Sequence, residues 1–351
     1  MPSLKATFIF SVFFLALSAS DRGLRALETP APAPAAQDPF STALSGLKAN
    51  DPMVRRRSAD ELGRIGTPAS ISPLMQALAD ENPFVRSAAV DALGILRARE
   101  AVSKIAELLA KDPAPQVRQQ AAIALAYVGD STTEDALIAA LKDASDGVRF
   151  AATRTLGSLR SRKALEPLAA ALKDPDAGMR RAAAAALGQI GAKESMAPLQ
   201  EVLDDQDLHV RREALRALGA MVDAGSAAVF EGALKDGDAV IRLQAASALG
   251  RLGNFSGEAA VVALLKEGEA SIRMQAADAL GWIGGKDKAL PALASALSSE
   301  KDQGVRGLLD LAAAQIKARL GIKDEPAKKS KSAAEPAKAP AKKSPAKKRV
   351  P

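Results

Sequence analysis

Apolar positions along this chain recur on two scales. Locally they fall at the i, i+3, i+4, i+7 spacing of amphipathic helices. Over longer distances the same local pattern returns again and again. A Val, Ile or Met followed by arginine marks each return: Arg55, Arg86, Arg118, Arg149, Arg180, Arg211, Arg242, Arg273 and Arg306. Successive spacings are 31, 32, 31, 31, 31, 31, 31 and 33 residues. A period of this size marks a solenoid rather than a compact single-copy domain.

Each arginine brings the same apolar frame. Seven residues later stands Leu62, Leu93, Leu125, Leu156, Leu187, Leu218, Leu249 or Leu280. Ten residues later stands Ile65, Leu96, Val128, Leu159, Ile190, Met221, Leu252 or Ile283. With the residue before each arginine these form one helical stripe. A second, shorter helix precedes it, carrying Leu78, Leu141, Leu172, Leu203, Leu234 or Leu265 eight residues before its arginine. Each unit is therefore a pair of antiparallel helices, and neither can bury its stripe without stacking on the next unit.

Polar and small residues repeat too. Glycine follows the leucine at Gly63, Gly94, Gly157, Gly188, Gly219, Gly250 and Gly281. Glycine inside a helix costs about 0.5–1 kcal/mol relative to alanine, so its recurrence predicts close helix approach. A second glycine (Gly66, Gly129, Gly191, Gly253, Gly284) predicts a left-handed C-terminal cap. Arg97, Arg160 and Val222 replace it in three units, where a different turn is expected.

Six residues before the arginine stand Asp80, Asp112, Asp143, Asp174, Asp205 and Asp236, with Glu267 and Glu300 continuing the row. Four before it stand Asp51, Asn82, Ser145, Asp176, Asp207, Asp238, Glu269 and Asp302. The nearer row suits N-caps of the second helix. The farther row suits pairing with Arg86, Arg118, Arg149, Arg180, Arg211, Arg242 and Arg273, of the same or an adjoining unit. Such pairing would build a ladder along the stack. Calcium is disfavoured, because its loops need six to eight converging oxygens.

The stretches VRSAAVDALGIL at 85–96, MRRAAAAALGQIG at 179–191, IRLQAASALGRLG at 241–253 and IRMQAADALGWIG at 272–284 resemble HEAT repeats of the short type named after phycobilisome lyases. The resemblance covers residues 40–321. It implies an all-α fold, a right-handed superhelical α-solenoid of about nine helix pairs. It also implies an Asp–Arg ladder and a concave wall lined by the second helices. The last unit departs from the pattern, with Ala313 and Ala314 in place of Leu-Gly, and its final helix is expected to run on to Leu320 as an end cap.

Some members of this repeat family are enzymes, namely bilin lyases and a di-iron hydroxylase built on His-Glu pairs. The single histidine here, His209, cannot make such a site and is expected in an exposed turn. No Ser-His-Asp set, phosphate loop or HExxH motif is present. The sequence thus points to a protein that is not an enzyme, with no cofactor and no metal. A lyase-like or hydroxylase-like enzyme stands as the alternative class. Binding is expected on outward positions one, five and nine residues after each arginine. These supply apolar Tyr127, Phe150, Leu243, Met274 and Trp282 around a basic centre of Arg154, Arg181, Arg212 and Arg216. The only Tyr and the only Trp both occupy the last of these positions. Aromatic and arginine side chains of this kind anchor interfaces, so a protein or peptide partner is expected for a monomeric scaffold. The competing reading is that these side chains cover neighbouring turns.

The two ends change the picture. Residues 1–20 have a short basic start at Lys5, an apolar run from Ala6 to Leu17 and small residues to Ser20, the form of a secretory signal peptide. This predicts export to the periplasm, envelope or exterior, with cleavage near Ser20 or Ser18. Residues 21–39 read as an Ala/Pro-rich linker. Residues 322–351 read as a disordered Lys/Ala/Pro-rich tail. Within it, residues 323–351 hold nine Lys and Arg349 against three acids, which accounts for the whole net charge of +7. The repeats themselves are neutral. Such a tail suits an anionic envelope polymer or membrane surface, or nucleic acid if the protein is cytosolic. There are no cysteines, so disulfides and sulfur-ligated zinc are excluded.

Overall fold

The computed structural model describes residues 38–322. The predicted signal segment, nearly all of the linker and the basic tail beyond Ile322 lie outside the described residues. Eighteen α-helices alternate in nine pairs, and there is no strand among the described residues. The first helices of the pairs are α1 (Pro39–Gly46), α3 (Ile71–Ala77), α5 (Val102–Lys111), α7 (Glu134–Ala140), α9 (Leu165–Ala171), α11 (Met196–Glu201), α13 (Ala227–Ala233), α15 (Glu258–Leu264) and α17 (Ala289–Ser299). The second helices are α2 (Pro52–Ile65), α4 (Pro83–Ile95), α6 (Pro115–Val128), α8 (Asp146–Ser158), α10 (Ala177–Ile190), α12 (Leu208–Met221), α14 (Ala239–Arg251), α16 (Ala270–Ile283) and α18 (Gln303–Leu320). This is the expected all-α solenoid. The long α18 closes the stack as anticipated for the last unit.

The core follows the predicted stripe. The eight leucines that follow the arginines by seven residues are all fully buried. Facing them from the first helices are Leu74, Ile105, Leu137, Leu168, Leu199, Phe230, Val261 and Leu293, each 0–1% exposed. These lie one helical turn N-terminal to the row picked out in the sequence, of which Leu141, Leu203 and Leu234 stay only partly covered.

Glycine acts as the sequence suggests, through contact between second helices. A Cβ at Gly63 would lie 2.8 Å from the Cβ of Ala92, one at Gly157 would lie 2.7 Å from the Cα of Ala186, and one at Gly188 would lie 2.6 Å from the Cβ of Ala217. The glycine of one unit thus seats the alanine of the next. Second helices pack on each other along the whole stack, while first helices touch one another chiefly at α5–α7 and α15–α17. A layer whose members stand closer together is the inner side of a bend, so the second helices form the inner wall.

The helix ends correct two expectations. Gly66, Gly191 and Gly253 adopt φ of 75°, 67° and 74°, as a left-handed cap requires. Gly129 and Gly284 do not; their φ values are −66° and −70°. There glycine is needed for space, since a Cβ would lie 2.4 Å from the Leu125 carbonyl oxygen or 2.5 Å from that of Leu280. Conversely, the three turns without glycine do not differ in conformation. Arg97, Arg160 and Val222 adopt φ of 51°, 52° and 46°, left-handed despite their side chains.

Candidate functional site

The ladder forms between units. Arg86 donates from Nε and Nη2 to both oxygens of Asp112, each at 2.8 Å, and from Nη1 to the Asp80 carbonyl of its own unit. Arg118 grips Asp143 and Arg180 grips Asp205 in the same bidentate way, and Arg273 grips Glu300. Arg55–Asp80 adds a rung at the start of the stack, and Arg242 reaches Glu267 at 2.9 Å. Arg211–Asp236 is looser at 3.8 Å. Each aspartate also accepts the amide of the residue two positions on, as Asp205 does from Asp207. The arginine fork opposite Asp143, Asp205 and Glu300 holds all three carboxyls below their ordinary range, with Glu300 lowered to about 2.

One rung is missing. Arg149 bonds Asp146 on the first turn of its own helix and the Asp143 carbonyl instead of Asp174. Asp174 accepts the Asp176 amide. The acid at Asp146 competes locally, and no other unit has one at that position, three before its arginine. The nearer acidic row caps helices as expected at Asp51, Asn82, Asp176, Asp207, Asp238 and Asp302, but not at Ser145 or Glu269. His209 is exposed in the first turn of α12.

The inner wall separates the nine predicted binding residues into two sets. Four belong to the stack's own packing. Phe150 is half-buried, and its ring lies over the first turn of α10, 3.1 Å from where a Cβ on Gly178 would sit. Met274 likewise lies over Gly304. Arg212 is not a free cation; it forms a two-pronged pair with Asp238 at 2.9 and 2.6 Å, and that hydrogen bonding raises its pKa. Leu243 is 7% exposed and packs with the core, although its edge also lines a cleft across α12, α14 and α16. The position just after each arginine therefore mostly covers the next unit, which corrects its assignment to the groove.

The remaining five reach solvent. Tyr127 and Trp282 are 60% and 69% exposed. Arg154 and Arg181 are exposed, with no carboxylate partner among the described residues. Arg216 is exposed and bonds Glu213 on its own helix. Further toward the N-terminus the same positions bring in Asp60 and Asp91, with Arg56 and Arg64 beside Asp60 and Glu61 on α2. Burial pushes the carboxyls of Asp60 and Asp91 up, and Asp60 adds to the effect on Asp91.

A cleft of about 720 Å³ opens in this wall across α12, α14 and α16. Arg216, Gly219, Leu243, Gln244, Phe255 and Trp282 contribute to its lining. Its origin is a relaxed glycine contact. At Gly219 a hypothetical Cβ would meet the end of Arg251 at 3.0 Å and the Ala248 Cβ at 3.5 Å, and at Gly250 it would meet the Ile283 side chain at 2.5 Å, with no neighbouring backbone close in either case. The helices that elsewhere touch backbone to backbone have parted here. The core divides at the same place. One cluster runs from Ala43 to Leu249 and a second from Leu243 to Ile316, with α14 shared between them. Phe255, in the turn after α14, is 51% exposed at the cleft and was missed in the sequence. It lies outside the repeat frame, so periodicity gives it no address.

Comparison with known proteins agrees with this architecture. A model of HEAT repeats matches residues 40–126, 102–186, 165–250 and 226–313. A search of curated proteins gave no match. Among solved structures, Escherichia coli YibA is 21% identical over 77% of this chain and 98% of its own, with a TM-score of 0.55. Kap95p, in a complex with RanGDP, is 14% identical over 79% of this chain and 45% of its own, with a TM-score of 0.57. The CpcE–CpcF phycocyanin lyase of Nostoc sp. PCC7120 also matches, at 22% identity over 82% of this chain and 98% of its own, with a TM-score of 0.35. No group of metal-binding side chains occurs among the described residues.

Proposed function

Since the chain belongs to the HEAT-repeat family, we propose that it is a non-catalytic scaffold that binds a polypeptide partner along its inner wall. HEAT-repeat solenoids generally bind proteins, and their concave walls are extended binding surfaces. The observation that carries the reading is the cleft over α12, α14 and α16, edged by two large exposed aromatic side chains. A packed solenoid has no structural use for them. Aromatic side chains exposed beside arginines are the residues that dominate binding energy when an interface forms. Co-purification of crosslinked partners with the full chain tests the reading. Trp282→Ala combined with Arg154→Ala should weaken capture by at least about 2 kcal/mol, the cost of losing an interface anchor. Capture that is equal for both proteins would reject the inner wall.

The reading extends to location. The basic start, apolar run and small residues of 1–20 support export, and no described helix is long and apolar enough to cross a membrane. N-terminal sequencing of the mature protein should begin at or just after Ser18–Ser20. A mature chain that still begins at residue 1 or 2 would reject cleavage. In an exported protein the basic tail would favour anionic envelope polymers or lipid headgroups. Deleting residues 323–351 should then remove retention on an anionic surface at low salt.

A further inference from the structure

We infer that the cleft over α12, α14 and α16 takes an apolar, preferably aromatic, side chain of an extended acidic peptide, whose carboxylates run along the wall toward Arg154. This rests on the scaffold reading and names the ligand class. Three observations point to it. First, the cleft is a local departure from the repeat: side chains of Arg251 and Ile283 stand against Gly219 and Gly250, while at the corresponding Gly63, Gly157 and Gly188 the alanine backbone itself closes in. Leu243, though buried, lines the cleft together with Phe255 and Trp282. Second, Gln244 lines the cleft, and its Oε1 is buried with no hydrogen-bond partner. An unpaired buried acceptor is costly, and a turn of the Gln244 amide toward a bound main chain would relieve that cost. Third, the nearest arginines free of a backbone contact lie on one side, since Arg251 in the cleft is held by the Gly219 carbonyl and Arg319 on α18 by the Trp282 carbonyl. Arg216 on α12, Arg181 on α10 and Arg154 on α8 lead away from the cleft toward the N-terminal end, each exposed. The last two lack a carboxylate partner among the described residues.

The spacing sets a register. Packed helices stand about 8–10 Å apart, and an extended chain advances about 3.3 Å per residue. One unit thus spans about three ligand residues. With the anchor in the cleft, carboxylates about three, six and nine positions away meet Arg216, Arg181 and Arg154 in turn. A basic peptide would meet these cations and be repelled. A nucleic acid would also find aromatics and arginines, but its closely spaced phosphates would meet Asp278 in the cleft lining and Glu213 beside Arg216. A peptide with spaced carboxylates avoids that conflict.

The test uses the full chain and a random peptide display library, with selected sequences synthesised and titrated. Trp282 is the only tryptophan, so its emission reports on the cleft directly. Selected peptides should carry an aromatic or large aliphatic residue and acids on one side of it, and should shift Trp282 emission saturably. Phe255→Ala should weaken them about tenfold or more, as loss of an interface anchor does. Arg154→Glu with Arg181→Glu should weaken them about tenfold at low salt and less at high salt, because exposed charges are screened. Both sets of positions are exposed, and unchanged thermal unfolding confirms intact folding. Selected peptides that are basic or uncharged, or that leave Trp282 emission unmoved, would overturn this inference while leaving the scaffold reading in place. A library that yields no binder would overturn the inference too, and failure to crosslink any partner from the inner wall would reject the scaffold reading independently. Tighter binding of an oligothymidylate probe than of any selected peptide would replace the ligand class with single-stranded nucleic acid.

Discussion

At Gly188 a methyl group has no room: its carbon would lie 2.6 Å from the Ala217 Cβ and 3.1 Å from the Ala217 Cα. The neighbour is partly backbone and cannot swing aside. Gly188→Ala should therefore destabilise the protein by about 1–3 kcal/mol, as overpacking does. At Gly219 the same change meets only the end of the Arg251 side chain at 3.0 Å and an ordinary contact with Ala248. There the better helix propensity of alanine should make the substitution neutral or stabilising by up to about 1 kcal/mol. Denaturant unfolding of the two variants separates them. Equal losses would mean that the helices have not parted beside the cleft. Val222 offers the reverse case. It is β-branched, held at φ 46°, and 47% exposed. Val222→Gly removes left-handed strain without emptying a core site and should stabilise by about 1 kcal/mol. A lowered melting temperature would contradict this. Residue identity alone could not reveal the conformation at Arg97, Arg160 and Val222. The stacked units impose the turn, and the residue yields to it.

Helix by helix, the ladder joins each unit to the next through one arginine and one acid. Arg180 and Asp205 have side chains only 16% and 9% exposed, so Arg180→Ala leaves a largely buried carboxylate without its partner. The cost should be about 2–3 kcal/mol, between that of surface and fully buried pairs. Arg149→Ala should cost less than half as much, because its ion pair is the exposed Asp146 of its own helix. A double-mutant cycle on Arg180 and Asp205 checks the coupling, and zero coupling would remove the ladder as a stabilising device. The ladder also fixes an acid limit. The carboxyls of Asp143, Asp205 and Glu300 are lowered in the folded state, so their contribution is present above the ordinary carboxylate pKa of about 4. It is lost as pH falls toward the folded values, about 2 for Glu300. Melting temperature should therefore drop between about pH 4 and 2, and a flat profile there would count against the rungs. The sequence made this arrangement legible through its six-residue offset between acid and arginine. It could not say which unit's acid is gripped, since an acid stands both six residues before these arginines and 25–27 residues after them. It also could not foresee that Arg212 would be neutralised by Asp238. That pair joins a wall position to an N-cap, two rows with separate roles in the sequence.

Across the whole molecule, periodicity gave the unit count, the core stripe and the end cap. It missed what breaks the period. The division of the core at α14 and the cleft beside it are departures in helix spacing, and Phe255 sits in a turn that the repeat leaves open. Solenoid stability is a sum of units and their interfaces, so a weakened interface marks a boundary for partial opening. Hydrogen exchange should show residues 258–320 opening at lower denaturant than residues 43–233, as a separate cooperative unit. Uniform protection through α14 would rule out that boundary. The claim on which the function rests is that the second-helix wall, and not the outer layer, meets the partner. Photo-crosslinking side chains placed at Tyr127, Arg154 and Trp282, and for contrast at exposed Lys104 on α5, test it most directly in the full chain. The account predicts partner adducts from the three wall positions and none from Lys104. Adducts from Lys104, with none from the wall, would contradict it.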